Sequence, residues 1–533
     1  MANATLTEIR LRNFKSFGGE EQAVEFRPLT VLIGPNNTGK STILQSLLLL
    51  KQTLLDPRPE VALLPRGAYV KALSLRELTH GRPEDIGNRG PEICIRWTST
   101  VDLRRVRDTG RRPFDIGKLA AATGLQWLAS APEEFQLKTA LCLCYREIDS
   151  IISAQPIVLE SFGPGDSDEN PGLTVKWVRS TSSYIIHWGG QQVRGLELRL
   201  DHFLPYLVPT SEAEEPARRV WRLFRVLYEQ PLQDLKELLL NLSYVGAVRS
   251  EPAELYPKPS SASTRDVLPD GAKAPELVYA HRATPVHCSP LVRADRSEQR
   301  VELSDRIEAR PLEHYVDVVL QHLGIDVKVS LSDLQDLGFR LLFDGGSLHH
   351  VGRGIGQILP IIVAGLLSDP LLGEDTGADL MRAEYLARCR FIPTLVFEEV
   401  ESHLHPRAQT RLAHFMVALA RSGRQVFIET HSDHLVRRLR SLVARAASGE
   451  ESEAWLLDNV RIIEVTQQNQ VTSVHTAKLT QEGDIERWPG GFMDEASDEE
   501  ELIYGARMKK AKPRAVLAEE EYLRNVRFLE KKG

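Results

Sequence analysis

Cysteine is scarce. The 533 residues hold five, at Cys94, Cys142, Cys144, Cys288 and Cys389. A small, odd number argues against a disulfide framework and fits a reducing compartment. Cys142 and Cys144 read as core thiols, because no second pair matches their spacing. Long hydrophobic runs are also missing. The most apolar stretches, 43–50 and 358–367, fall short of the ~20 residues that a membrane helix needs. A transporter with its own spans is therefore excluded. The opening MANATLTEIRLRNF has no apolar core of a secretion signal, so a cytoplasmic location is expected. Excess positive charge is lacking as well: 66 basic against 73 acidic residues leave a net charge of −7. That disfavours a fold that works only by coating nucleic acid, and leaves room for a local basic patch.

What is present suits a globular chain of two to four domains. Loose alternation at Leu6, Ile9 and Leu11, then Val24 and Phe26, then the apolar run 30–33, predicts strands. Residues 41–52 predict a leucine-rich helix, and Ile93, Ile95 and Trp97 another strand. From about residue 101 the pattern changes. Arginines cluster at 104, 105, 107, 111 and 112, and the stretches 119–128, 132–152 and 216–241 read as helical. The segment 163–171, GPGDSDENP, reads as a loop. Strand patterns return at 327–329, 339–343, 395–397 and 425–428, the last two each followed by a helix. Strands alternating with helices predict an α/β core. The expected organisation is a first core segment over 1–104, a largely helical insertion over 105–330, a second core segment over 331–480, and a charged extension over 481–533. Within that extension, 516–532 reads either as a docking helix or as a solvated tail.

The strongest motif is Gly34-Pro35-Asn36-Asn37-Thr38-Gly39-Lys40-Ser41, followed by Thr42. It fits G-x-x-x-x-G-K-[ST] and lies between an apolar strand and a helix, the context such a loop needs. Its glycines let backbone N–H groups wrap phosphates at a helix N-terminus. Lys40 is placed to reach the β- and γ-phosphates and Ser41 to ligate Mg²⁺, with ATP as the cofactor.

A second apolar run ends in Glu398-Glu399. Phosphoryl transfer needs one acid for the metal and one group to orient water, so Glu398 is assigned to Mg²⁺ and Glu399 to the water. His403-Leu-His405 could be read as a zinc pair, but no third or fourth ligand stands at suitable spacing. His431, just after the run 426–428, is placed to hydrogen-bond a γ-phosphate.

In this order the pieces resemble an ABC-type P-loop ATPase head of the SMC, RecF and OLD group, with a mixed sheet and flanking helices. The opening IRLRNFKSF, the loop GPNNTGKS, LVFEEVESHLHPRAQ and ETHSDHLVRRL each resemble segments of that group. HVGRGIGQILP resembles its signature, with Gly352, Gly354, Gly356 and Gln357 as nucleotide contacts. YVGAVR, at 244–249, and IERWPGGF, at 485–492, resemble pieces of one bacterial subgroup. The resemblance is specific over about 1–100 and 335–495 and weak across the insertion. It implies ATP held between two heads, the signature of one reading the γ-phosphate on the other, hence a homodimer or higher homo-oligomer. Departures are Glu398 for the Asp of many relatives, Val400 for a Pro, and Gly356 for a Ser. No glutamine is evident at the usual Q-loop position, near which His80 lies. Slow or partner-dependent hydrolysis is the expected consequence.

OLD-like nucleases carry a metal-binding D-x-D on a strand after the ATPase head. The only D-x-D here, Asp166-Ser-Asp168, falls in the polar loop. The chain thus resembles the stand-alone ATPase subunits of Septu and retron antiphage systems, which control a separate effector such as a nuclease or toxin. The alternative is a RecF-like repair ATPase that binds DNA as an ATP dimer, with Arg104 to Arg112 and Arg218, Arg219, Arg222 and Arg225 on phosphates; a solvated face is the other account of those arginines. The ATPase half of a transporter fits the SMC-like opening and the long insertion poorly.

Overall fold

A computed structural model describes residues 4–81, 90–103, 128, 131–148, 151–162, 173–178, 183–188, 191–259, 265–295, 300–347, 353–446 and 450–485. The segments 163–171, 119–127 and 516–532, Gly352, and the arginines at 104–112 lie outside them.

The N-terminal strands are β1 (Thr5–Arg12), β2 (Gln22–Glu25) and β3 (Leu29–Ile33), followed by helix α1 (Lys40–Leu54). Then come β4 (Glu92–Asp102), β5 (Glu134–Ile148), β6 (Ile151–Phe162), β7 (Leu173–Val178), β8 (Ser183–Trp188) and β9 (Gln191–Val193). Next are α2 (Gln230–Leu240), the short β10 (Ser243–Val245), α3 (Arg353–Leu367), β11 (Thr394–Glu398), α4 (Pro406–Arg421), β12 (Gln425–Glu429), α5 (Asp433–Ala444), β13 (Val460–Gln468) and β14 (Val471–Ala477).

Six strands form one sheet in the order β10-β11-β12-β3-β13-β14. The first five are mutually parallel, and β14 closes the edge antiparallel to β13. Every residue of β3 and β12 is buried. Such continuous apolar runs belong to strands covered on both faces, which is why they do not alternate in the sequence. Because the strands are parallel, β3, β11 and β12 all end at the same edge, where an open α/β sheet places its ligand.

The second sheet is antiparallel, in the order β2-β1-β4-β5-β6-β7-β8-β9. It corrects the expectation of a largely helical 105–330. Residues 132–152 are not a helix but most of a hairpin, β5 pairing with β6 up to Ile148 opposite Ile151. Phe135, Leu137, Leu141, Leu143 and Tyr145 point into the core with period two. Ala140, Cys142 and Cys144 fill the alternate positions with small apolar groups, and the period-two signal disappears from the sequence. The stretch 216–241 is helical as expected: Glu215–Phe224 and α2 are joined by a π-helical turn over Arg225–Glu229.

Cys94 and Cys142 stand directly opposite on β4 and β5 and form a disulfide, which corrects the core-thiol reading of Cys142. Cys144 is a free buried thiol, as expected.

Helix α1 lies within a single hydrophobic core that reaches both sheets. Leu44, Leu47 and Leu48 belong to one cluster with Ile9 and Trp97 of the antiparallel sheet and Val396, Phe427 and Ile463 of the parallel one. Helix α2 is fastened to this core by two polar contacts. The Trp97 indole donates to the Pro231 carbonyl at 2.8 Å, and the buried Lys51 ammonium donates to the carbonyls of Leu240 and Leu242.

His287, Asp369, Tyr385 and Arg424 form a fully buried polar network. Asp369 accepts from the backbone N–H of His287 at 2.7 Å and from the Tyr385 hydroxyl at 2.8 Å, and its Oδ2 is 2.8 Å from the His287 ring. Arg424, just before β12, donates to the carbonyls of Gly365, Leu366, His287 and Ser422. The network ties the end of α3 to the start of β12. Burial pushes the Asp369 carboxyl up, but the His287 hydrogen bond and the Arg424 charge outweigh it and hold it below the ordinary value. Its stabilisation is therefore complete above the ordinary carboxylate range and is lost as pH falls through the lowered folded value. Asp369→Ala should cost about 3–5 kcal/mol, because it leaves Arg424 buried without its counter-charge. Urea unfolding at pH 7 and pH 5 should show the same loss at both.

Candidate functional site

The loop 34–39 connects β3 to α1 in a backbone shape that side chains resist. Gly34 has φ +142°, and a Cβ there would strike the Val465 carbonyl. Gly39 has φ +105°, with Thr472 Oγ1 2.6 Å and Ser16 Oγ 2.7 Å from where a Cβ would stand. The Thr472 hydroxyl donates to the Thr38 carbonyl at 2.7 Å and lies 2.8 Å from Ser16 Oγ. Thr38 Oγ1 closes the loop on the Pro35 carbonyl at 3.0 Å, while Pro35, Asn36 and Asn37 remain exposed. Ser16 precedes β2 and Thr472 lies on β14, so the loop is clamped from two directions. Ser41 and Thr42 open α1, their side chains half-buried.

Lys40 is almost fully buried. Its ammonium donates to the carbonyls of Gly34 at 2.9 Å and Pro35 at 2.7 Å, and lies 4.0 Å from Glu429 Oε1. Burial lowers its pKa, opposed by the charges of Glu429, Glu399 and Glu401.

Glu398 and Glu429 end β11 and β12 as register partners. Ser41 Oγ donates to Glu429 Oε1 at 3.1 Å. Burial raises Glu398 to about 7, with the Glu429 charge adding to it and the Tyr244 hydroxyl opposing it. Burial also raises Glu429, against the Ser41 hydrogen bond and the Lys40 charge. Glu398 Oε1 and Glu429 Oε2 are buried without a hydrogen-bond partner. Orphaned carboxylate oxygens beside a serine hydroxyl suit a hard cation, so Ser41 and Glu398 fit the expected Mg²⁺ role.

Glu399 turns the chain out of the strand with φ +44°. Its backbone N–H donates to the Glu429 carbonyl at 2.9 Å, and its carboxylate accepts from Ser402 Oγ at 3.0 Å. Glu401 accepts from Thr430 Oγ1 at 2.7 Å and from the His431 N–H at 2.6 Å, so it holds the turn that carries His431. The His431 side chain is exposed at the lip of the site. Desolvation by neighbouring atoms, then the Lys40 charge, lowers its pKa.

The structure thus gathers Gly34, Gly39, Lys40, Ser41, Glu398, Glu399 and His431 at one sheet edge. Gly354, Gly356 and Gln357 lie in the first turns of α3. Gly354 faces the His403 carbonyl, and a Cβ on Gly356 would meet the Pro252 ring at 2.6 Å. A serine at 356 would collide there, which accounts for that departure. The His80 ring bonds the Lys15 carbonyl at 2.7 Å, one residue from the clamping Ser16. His405 caps α4 through the Arg407 N–H, and no cluster of three metal-ligating side chains occurs among the described residues. Of the arginines considered for DNA, Arg219 and Arg222 pair with Glu215, Arg225 pairs with Glu229, and Arg218 bonds the Ala213 carbonyl.

Sequence reasoning missed Glu429 and the role of Arg249. Glu429 ends an apolar run just as Glu398 does, so the same signal could have found it. Arg249 follows β10 and is buried, donating to the carbonyls of Glu398 at 2.6 Å and Glu399 at 2.9 Å. Burial lowers its pKa to about 10, against the three nearby glutamates.

Residues 5–93 match the family model of an AAA ATPase domain, and residues 321–437 match that of an AAA domain described as putative AbiEii toxin, Type IV TA system. No curated protein matches the chain. Among solved structures, an SMC head bound to the C-winged helix domain of ScpA is 10% identical, covers 89% of this chain and 98% of its own, and has a TM-score of 0.35. An SMC head domain from Thermotoga maritima is 11% identical over 89% of this chain and 99% of its own, with a TM-score of 0.30. An SMC head with an extended coiled coil, bound to the C-terminal domain of ScpA derived from Pyrococcus furiosus, is 10% identical over 94% and 100%, with a TM-score of 0.33. The two matched segments hold the phosphate loop and the strand-end acids respectively. These two segments are similar to ATPase domains of AAA type, and a β-rich stretch separates them in the chain. No helix among the described residues is long and apolar enough to cross a membrane.

Gly39→Val should add about 1–3 kcal/mol of backbone strain to the clash with Thr472 and Ser16. Nucleotide affinity, measured by fluorescence titration, should fall roughly tenfold or more.

Proposed function

We propose that this ATPase works as paired heads in bacterial antiphage defence, as a sensor and scaffold that controls a separate effector such as a nuclease or toxin. The observation that carries the paired-head part is the separation of the two nucleotide-contacting sets. The phosphate loop and acids form one cluster, whereas Gly354 faces the His403 carbonyl and Gly356 the Pro252 ring. A second copy supplies the missing signature to the γ-phosphate. A cavity of about 640 Å³ beside Gly354, His403 and Arg411 leaves space at that face. The defence role rests on the resemblance to Septu and retron ATPase subunits and on the lack of a strand-borne D-x-D in the sequence. The AbiEii description of one matching model is compatible with it.

In this account the loop N–H groups bind the phosphates, and Lys40 leaves the carbonyls of Gly34 and Pro35 to reach the β- and γ-phosphates. Ser41 and Glu398 would hold Mg²⁺, which would supply charge neutralisation to the phosphates. Glu399 accepts the proton of the attacking water. His431, held by Glu401, bonds the γ-phosphate. Arg249 positions Glu399 by gripping the peptides on either side of the strand end.

Glu399→Gln should leave ATP binding intact, lower turnover by roughly 10²–10⁴-fold, and accumulate an ATP-bound dimer in size-exclusion chromatography. Hydrolysis equal to wild type would sink the assignment. Native mass spectrometry of the protein co-expressed with its flanking genes tests the effector. A defined complex with a nuclease or toxin supports the defence scaffold. A bare protein that dimerises with ATP and gains salt-sensitive DNA affinity supports the RecF-like repair alternative.

A further inference from the structure

We propose that Glu429 joins Glu398 and Ser41 in a divalent-cation site that loads before nucleotide. The location rests on the nucleotide site proposed above; the charge argument does not. Glu429 is 6% exposed, and its Oε2 has no hydrogen-bond partner. Glu398 Oε1, on the register-paired strand end, is also buried and unpartnered. Ser41 Oγ gives its proton to Glu429 Oε1 at 3.1 Å, which leaves the oxygen lone pairs for a cation.

The nearby cations do not satisfy these oxygens. Lys40 Nζ stands 4.0 Å from Glu429 Oε1 and spends hydrogen bonds on the Gly34 and Pro35 carbonyls. Arg249 donates to the backbone carbonyls of Glu398 and Glu399, not to their carboxylates. Two buried carboxylates with orphan oxygens are costly unless a cation takes them. Hard divalent ions accept such a set of carboxylates, a hydroxyl and waters. A site with one acid waits for the phosphates to supply negative charge. A site with two does not.

The test uses the full chain freed of nucleotide and titrated with Mn²⁺, free Mn²⁺ being read by electron paramagnetic resonance. Wild type should take up one Mn²⁺ per chain, displaced by Mg²⁺. Glu429→Gln should weaken uptake at least about tenfold. Lys40→Ala should tighten it, because a positive charge leaves the site's edge. In EDTA, Glu429→Gln should melt no lower than wild type, since it removes one of two like charges, and it should lose the rise in melting temperature that Mn²⁺ gives wild type. No Mn²⁺ uptake by nucleotide-free wild type, or unchanged affinity in Glu429→Gln, overturns the proposal. Binding of a fluorescent ATP analogue in excess Mg²⁺ is read in parallel. Its absence would count against the nucleotide site and not against the cation site.

Discussion

Two carboxylates end adjacent parallel strands in register, and the site is arranged around keeping Glu398 and Glu429 together in a buried place. Their repulsion and desolvation are opposed by specific groups. Ser41 donates to one and the Tyr244 hydroxyl faces the other. Lys40 supplies a positive charge from the loop side. Arg249 supplies another from behind the strand ends. Ser41 and Lys40 open α1, and Tyr244 and Arg249 lie on and just after β10, so the acids make α1 and the β10 segment depend on one another.

That dependence gives the insertion a physical route to the chemistry. Helix α2 holds helix α1 through Lys51 and leads into β10, the edge strand beside β11. Tyr244 on β10 bonds the Glu398 side chain, and Arg249 just after it bonds the backbone carbonyls of Glu398 and Glu399. A displacement of α2 would reach both the phosphate loop and the strand ends without a long chain of contacts.

The loop 34–41 was legible because its chemistry needs glycines, a lysine and a serine at fixed spacing between a strand and a helix. Glu398 was legible because a buried parallel strand is a continuous apolar run, and an acid that ends it is conspicuous. Glu429 sends the same signal, but the neighbouring His431 drew the assignment. Arg249 could not be placed, because its partners are backbone carbonyls about 150 residues away. The hairpin β5–β6 was misread because small apolar residues at its alternate positions, Ala140 and Cys144 themselves buried, hide the alternation. The cross-strand disulfide was missed because the pairing of Cys94 with Cys142 depends on a strand register that composition does not carry.

On the reading proposed above, the clamped loop and the paired acids together form a nucleotide site. Equilibrium binding of a fluorescent ATP analogue to wild type and to Lys40→Ala tests it most directly. The account predicts saturable binding by wild type, displaced by ATP, and loss of that binding in a Lys40→Ala variant that melts cooperatively. Equal binding by both proteins would contradict it.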